Sequence, residues 1–159
     1  MYEEILREFN KMKVKYVLVG GIAVNFHGYA RLTMDMDILA DMTDDNLKKI
    51  ITILKKMGYR VKQPVDPMGI ANSKIRHDWI HNKNMKAFNF YKEQDFKQVD
   101  ILIAAPISYK EAKKNAVKEE IDDMIISVIS LNDLIKMKKD TGREQDKKDV
   151  EQLRIIKRI

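Results

Sequence analysis

Asp35 and Asp37 open the stretch DMDIL, and no other side chains in this chain are better placed to do chemistry. On an extended strand, residues two apart share a face. The two carboxylates would therefore stand side by side, their Cα atoms roughly 7 Å apart. Met36 and Ile38 would face the other way, into a core. Like charges on a half-buried strand repel, and desolvation adds to the cost. A divalent cation between them offsets both effects. An all-oxygen donor set, with no His or Cys beside it, favours Mg2+ or Mn2+ over Zn2+. A third acid, Asp100, interrupts the apolar run VDILI. There Val99, Ile101 and Ile103 share one face, and Asp100 lies with Leu102 on the other. If the two strands are neighbours, all three carboxylates converge. A single Asp in such a run more often marks a strand end, but three on two apolar strands point to a metal site.

Gly20 and Gly21 complement the acids. They follow the short apolar run Tyr16–Val19 and precede a helical stretch, Ile22 to His27, closed by Gly28. A strand entering glycines and then a helix gathers backbone N–H groups at one point and lets an anion approach closely, which suits phosphate. The pattern lacks the Gly-Lys-Ser/Thr end of a P-loop and the three spaced glycines of a dinucleotide fingerprint.

These residues need a scaffold. Tyr2, Ile5, Leu6, Phe9 and Met12 recur at helical spacing, so the chain opens with an amphipathic helix. Strands are expected over 16–19 and 35–40. Thr43 caps a helix whose Leu47, Ile50, Ile51, Leu54 and Met57 form one face, ended by Gly58. Pro64, Pro67 and Gly69 make 63–72 a loop. Strands over 85–91 and 98–104, joined by the polar turn 92–95, predict a hairpin. Ser108 opens a further helix, 125–129 is a last strand, and Ser130 to Asp133 reads as a capping box before Leu134 and Ile135. Gly142 breaks the chain ahead of a terminal helix carrying Val150, Leu153 and Ile156. Strands and helices interleave around one sheet, so the class is α/β (α+β). The expected organisation is a single domain over 1–159, with a helical C-terminal part over 129–159.

The chain has 159 residues, 45% hydrophobic and 34% charged, enough apolar material for a core beneath a solvated surface. It has no cysteine, which excludes disulfides, zinc-thiolate sites and cysteine nucleophiles. No apolar stretch nears the ~20 residues that span a bilayer. The start Met1-Tyr2-Glu3-Glu4 lacks the basic segment of a secretory signal. A cytoplasmic location is expected. The net charge of +6 is spread evenly, with 13 Lys/Arg against 10 Asp/Glu in residues 1–80 and 17 against 14 in 81–159. That fits a lysine-rich surface better than a dedicated nucleic-acid face.

The segment YVLVGGIAVNFHGYARLTMDMDIL resembles the signature of the polymerase-beta-like nucleotidyltransferase superfamily, in which a Gly-Gly turn precedes a helix, an Asp-x-Asp pair follows, and a third Asp lies on a later strand. The His-Gly, Arg-x-Thr-x-Asp variant is similar to small stand-alone members, including abortive-infection toxins and relatives of antibiotic nucleotidyltransferases. LNDLIKMKKDTGREQDKKDVEQL resembles the C-terminal stretch of the same family. Met36 departs from the usual Ile, Val or Leu between the acids, a swap that a core-facing position tolerates. The resemblance implies a nucleotidyltransferase fold, a small mixed β-sheet flanked by helices. It also implies transfer of a nucleoside monophosphate from an NTP, such as ATP, to a hydroxyl, with release of pyrophosphate. Asp35, Asp37 and Asp100 would be catalytic and bind Mg2+, with Mn2+ as a substitute; Gly20, Gly21, Arg31 and Lys138 would bind the nucleotide. The acceptor is left open among a small-molecule hydroxyl, tRNA and a partner protein. A toxin subunit with a small helical partner, and an inactive nucleotide- or RNA-binding module, are the rival readings.

Arg31 could reach a phosphate bidentately or form a surface salt bridge. Lys138 could face a triphosphate or be one solvated lysine among Lys136, Lys138 and Lys139. Arg143, Asp146 and Asp149 are expected to brace two helices as ion pairs. His27 reads as a core-edge histidine. His77, Asp78 and His81 lack a serine in a strained turn, which argues against serine hydrolysis. Trp79, with Arg76 and His77, is expected in an acceptor-binding loop.

Overall fold

The structure is a computed structural model, and it describes residues 2–159. Seven strands form one mixed sheet: β1 (Tyr16–Val19), β2 (Asp35–Ala40), β3 (Arg60–Val61), β4 (Ala87–Lys92), β5 (Lys97–Leu102), β6 (Val117–Ile121) and β7 (Met124–Val128), in the order β3-β4-β5-β2-β1-β7-β6. β2 is central. It runs antiparallel to β1 and parallel to β5. β4 and β5 form the expected hairpin, closed by a 3-10 turn over Glu93–Asp95.

Seven helices surround the sheet: α1 (Glu3–Lys11), α2 (Gly20–Phe26), α3 (Asp44–Lys56), α4 (Ser73–His81), α5 (Tyr109–Asn115), α6 (Leu131–Lys138) and α7 (Glu144–Arg158). Side-chain caps start several of them. Thr43 Oγ1 accepts from the Asn46 N–H, Ser108 from that of Glu111, and Ser130 from that of Asp133, each satisfying a donor that a helix start leaves free. On one face of the sheet Met36, Ile38, Phe88, Phe90, Val99 and Ile101 are fully buried. α2 packs on β1 and β2 and reaches α6, which pairs with α7; this chain of contacts hangs the C-terminal hairpin over the strand ends that carry the acids.

Three elements differ from the sequence reading. Residues 73–81 form a helix, α4, with Asn72 as its cap. Only Arg76 and Trp79 of α4 are buried, so no apolar stripe announces it. The loop assigned to 63–72 contains a 3-10 turn over Pro67–Ala71. β6 pairs only with β7 at the sheet edge, and its VKEEI sequence is largely solvent-facing, hiding the alternation of a half-buried strand.

Trp79 and Arg76 do not form an acceptor loop. Trp79 is buried and stacks on Phe88 at 5.3 Å between ring centroids. Arg76 is buried and donates to Asp44 at 3.0 Å and to the carbonyls of Ile70 at 2.6 Å and Met42 at 2.9 Å. Arg76 pegs α4 to the start of α3, and Trp79 packs it on β4.

Candidate active site

The register of β2 against β5 sets Asp37 directly beside Asp100, and Asp35 beside Gln98. Partners in a parallel pair share a face, so the three acids come to one side of the sheet while Met36, Val99 and Ile101 fill the other. Asp100 is buried and firmly held. It accepts from Asn89 Nδ2 at 2.6 Å and from Gln98 Nε2 at 3.0 and 3.1 Å. Sequence reading missed both amides. The available signal was a polar residue inside the apolar stretch AFNFYK, but its meaning rests on the β4–β5 register, which sets Asn89 opposite Asp100.

Burial, followed by the charge of Asp100, a hydrogen bond with it and the charge of Asp35, pushes the Asp37 carboxyl up to about 7. Burial and Asp100 raise Asp35 as well, against a lowering effect of Lys62. Without a cation, Asp37 relieves this repulsion by holding its proton up to about 7.

The Gly20–Gly21 turn leans directly onto the acids. Gly20 has φ +68, and a Cβ there would collide with the Asp37 carboxylate. A Cβ at Gly21 would stand 2.5 Å from Thr33 Oγ1 and 2.9 Å from Arg31 Nη2. Both positions require glycine for close approach, Gly20 for its left-handed backbone too. The sequence reading assigned this need to phosphate; in the structure Asp37, Thr33 and Arg31 already create it.

Opposite the turn lies an ion network. Lys138, only 7% exposed, sits 2.8 Å from Asp146 and 2.9 Å from Asp149. Asp149, with no exposed surface, also pairs with Arg31 at 2.8 Å and accepts from Gln145 at 3.0 Å. Asp146 further accepts from Thr141 at 2.7 Å and Arg143 at 2.6 Å. Burial alone would raise the Asp146 carboxyl, but hydrogen bonds from Lys138, Arg143 and Thr141 outweigh it and hold the group at about 2. Lys138 is therefore no solvated lysine, and Arg31 no surface pair. The expected brace of Arg143, Asp146 and Asp149 exists and extends to both. Three cations against two carboxylates leave one positive charge in excess beside the turn. His27 is held at the core edge, its Nε2 2.7 Å from the Ile129 carbonyl.

Two clefts meet at this point and share Gly20, Asp35, Asp37, Lys138, Arg143 and Asp146. One, about 310 Å³, adds Gly21, Arg31, Thr33 and Gln145 and is polar, its three cations Arg31, Lys138 and Arg143 facing three carboxylates. The other, about 500 Å³, adds Asp100, Lys86 and walls of Leu102, Ala105, Pro106 and Met137. Among the described residues, no group of three or more His, Cys, Asp or Glu side chains forms a ready-made ion cage. That is compatible with Mg2+, which is usually held by one or two carboxylates with substrate phosphates rather than by an all-protein cage. The unmet repulsion at Asp35 and Asp37 and their all-oxygen chemistry fit such an ion.

A family model for aminoglycoside-2''-adenylyltransferase matches residues 2–153. The fold is shared with a lincosamide antibiotic adenylyltransferase, LnuA, in a lincomycin-bound crystal structure, at 22% identity and TM-score 0.65, covering 97% of this chain and 94% of that one. ANT(2'')-Ia in complex with adenylyl-2''-tobramycin is similar at 13% identity and TM-score 0.57, covering 97% and 91%. An antigenic nucleotidyltransferase-like protein from Paracoccidioides brasiliensis is similar at 12% identity and TM-score 0.57, covering 96% and 72%. No curated protein matches significantly. No helix among the described residues is long and apolar enough to cross a membrane. The chain belongs to the aminoglycoside-2''-adenylyltransferase family and is a nucleotidyltransferase.

Proposed function

We propose that this nucleotidyltransferase moves AMP, or another nucleoside monophosphate, from an NTP to the hydroxyl of a small-molecule acceptor with Mg2+ bound. The observation that carries this reading is the β2–β5 register, which sets Asp37 against Asp100 in front of a glycine turn and beside an excess of positive charge. The smaller cleft, with Arg31, Lys138 and Arg143, suits the triphosphate. Asp100 lines only the larger cleft and faces the acceptor. Asn89 and Gln98 orient its carboxylate to take the proton as the acceptor oxygen attacks the α-phosphorus. The bond from the α-phosphorus to the bridging oxygen breaks, and pyrophosphate leaves. Asp35 and Asp37 would hold Mg2+, or Mn2+ in its place, which would neutralise charge on the phosphates. The cytoplasm, with its NTP and Mg2+, is the compartment for this activity.

Incubation with α-labelled ATP, Mg2+ and candidate acceptors tests the proposal. Label should move to an acceptor in the wild type and not in Asp37→Asn. Lincomycin, bound in one of the similar structures, and unmodified tobramycin, whose adenylyl derivative is bound in another, supply contrasting acceptor probes. Total tRNA as a third acceptor separates this reading from that of a toxin subunit modifying RNA. Absence of Mg2+-dependent binding of ATP, GTP, CTP and UTP alike would remove the reading.

A further inference from the structure

Asp100 is held by the carboxamides of Asn89 and Gln98, and the two ends of a carboxamide have nearly the same shape. The NH2 end donates to a carboxylate, whereas the oxygen end repels it. Which end Asn89 presents is decided at the outer edge of β4. β3 pairs with β4 through Arg60 and Val61, and the Lys62 N–H then donates to the Asn89 carbonyl at 2.8 Å. Beyond that point the Gln63 side chain covers the edge. Its Oε1 accepts from the Asn89 backbone N–H at 3.3 Å, and its Nε2 donates to the Ala87 carbonyl at 3.3 Å.

Those two backbone groups cannot exchange roles, since an N–H only donates and a carbonyl only accepts. They fix the polarity of the Gln63 carboxamide. Its Nε2 also donates to Asn89 Oδ1 at 2.8 Å. With Oδ1 engaged there, Asn89 turns Nδ2 to Asp100, at 2.6 Å. Polarity thus passes from the β4 backbone through Gln63 and Asn89 to Asp100. Gln98 obeys the same logic: Lys62 Nζ, which can only donate, meets its Oε1 and leaves Nε2 for Asp100. Gln63 lines neither cleft, so its effect on the site runs through Asn89.

Resting on the transfer reading above, we propose that Gln63 is a positioning residue for that reaction, locking the Asn89 carboxamide with its NH2 end on Asp100. The carboxylate is thereby held in the orientation that receives the acceptor's proton.

Gln63→Glu and Gln63→Met separate this role from simple closure of the sheet edge. The introduced carboxylate, ionised at about pH 8, still accepts from the Asn89 N–H but sets an acceptor against Asn89 Oδ1. Asn89 then turns Nδ2 towards position 63 and Oδ1 towards Asp100. Methionine loses all three bonds of the Gln63 carboxamide but imposes no polarity, and the charge of Asp100 keeps Nδ2 in place. Transfer is measured with the NTP that the wild type binds among ATP, GTP, CTP and UTP, and with lincomycin and tobramycin as acceptors. kcat should fall by about tenfold or more in Gln63→Glu, the scale of a hydrogen bond to a charged group, and by less than about threefold in Gln63→Met. NTP affinity by calorimetry should stay within about twofold in both. In an Asn89→Ala background, Gln63→Glu should add less than about twofold, because the group it acts through is gone. A second readout needs no acceptor. In side-chain amide NMR spectra, the Asn89 Nδ2 signal, identified by its loss in Asn89→Ala, should shift between wild type and Asp100→Asn. That response should shrink by more than about half when Gln63→Glu is present, since Nδ2 then faces away from position 100. Edge closure alone predicts the reverse order of kcat, with Gln63→Met the worse, and that order overturns the proposal. So does a Gln63→Glu effect undiminished by Asn89→Ala, or an Asn89 signal that keeps its full response. Absence of Mg2+-dependent NTP binding by the wild type overturns the transfer reading, while the Asn89 signal still decides the relay.

Discussion

Lys138→Met removes the centre of the ion network while keeping the length of the side chain. Lys138 Nζ lies 2.8 Å from Asp146 and 2.9 Å from Asp149, and both acids are almost wholly buried. Removing one partner of a buried pair costs about 3–5 kcal/mol when the remaining charge is stranded. Neither acid is stranded here, because Asp149 keeps Arg31 and Gln145 and Asp146 keeps Arg143 and Thr141. A cost at or just below the bottom of that range, about 2–3 kcal/mol, is therefore expected at neutral pH. For a chain of this size that corresponds to a fall in Tm of roughly 4–12 °C. The pH dependence gives a stricter check. Asp146 in the folded protein sits at about 2, below its unfolded value, so its contribution is present above the unfolded pKa and lost as pH falls through the folded one. Lys138 is the first of the favourable partners that lower it. The stability gap between wild type and variant should therefore be constant above roughly pH 5 and shrink towards pH 2. Urea unfolding from pH 7 down to the lowest pH at which both fold measures this. A gap under about 1 kcal/mol at pH 7, the level of exposed pairs, would refute the reasoning, and so would a gap that does not narrow in acid.

Other expected outcomes concern the acids and the turn. Asp37→Asn should abolish transfer and leave metal-free stability equal or higher, because it removes a buried like charge; a large fall in Tm with activity retained would make Asp37 structural. Because the folded pKa of Asp37 is raised, the metal-free wild type should lose stability relative to Asp37→Asn as pH rises from about 4 to about 7. Over the same range Mg2+ affinity by calorimetry should rise, since the ion competes with that proton; a flat profile would contradict the shared proton. Gly20→Ala should cost about 1–3 kcal/mol through its left-handed backbone and the collision with Asp37, and should also impair transfer; wild-type stability would disprove the close approach.

Local chemistry made much of this protein legible. DMDIL carries two acids at the spacing of one strand face, and it forms β2 over Asp35–Ala40 as the alternation requires. Thr43, Ser108 and Ser130 announce helices because their hydroxyls satisfy N–H groups within three residues, a relation that needs no distant partner. Tyr16–Val19 and the glycines after it are readable in the same way, as a buried strand entering a turn.

What sequence spacing leaves open is which strand lies beside which, and in what register. Asp100 lies 63 positions beyond Asp37 in the chain, and sheet assembly alone sets them side by side. The same register aims Asn89 at Asp100. Lys138 is one of several lysines in its helix, and only the packing of α6 against α7 buries it between Asp146 and Asp149. α4 and β6 escaped notice because each leaves most of its surface in solvent and repeats no apolar period. Side-chain type and local spacing set which faces are apolar and where helices begin. Pairing across the sheet is a cooperative choice among many alternatives, decided by burying all those faces at once, and in this protein that choice assembles the site.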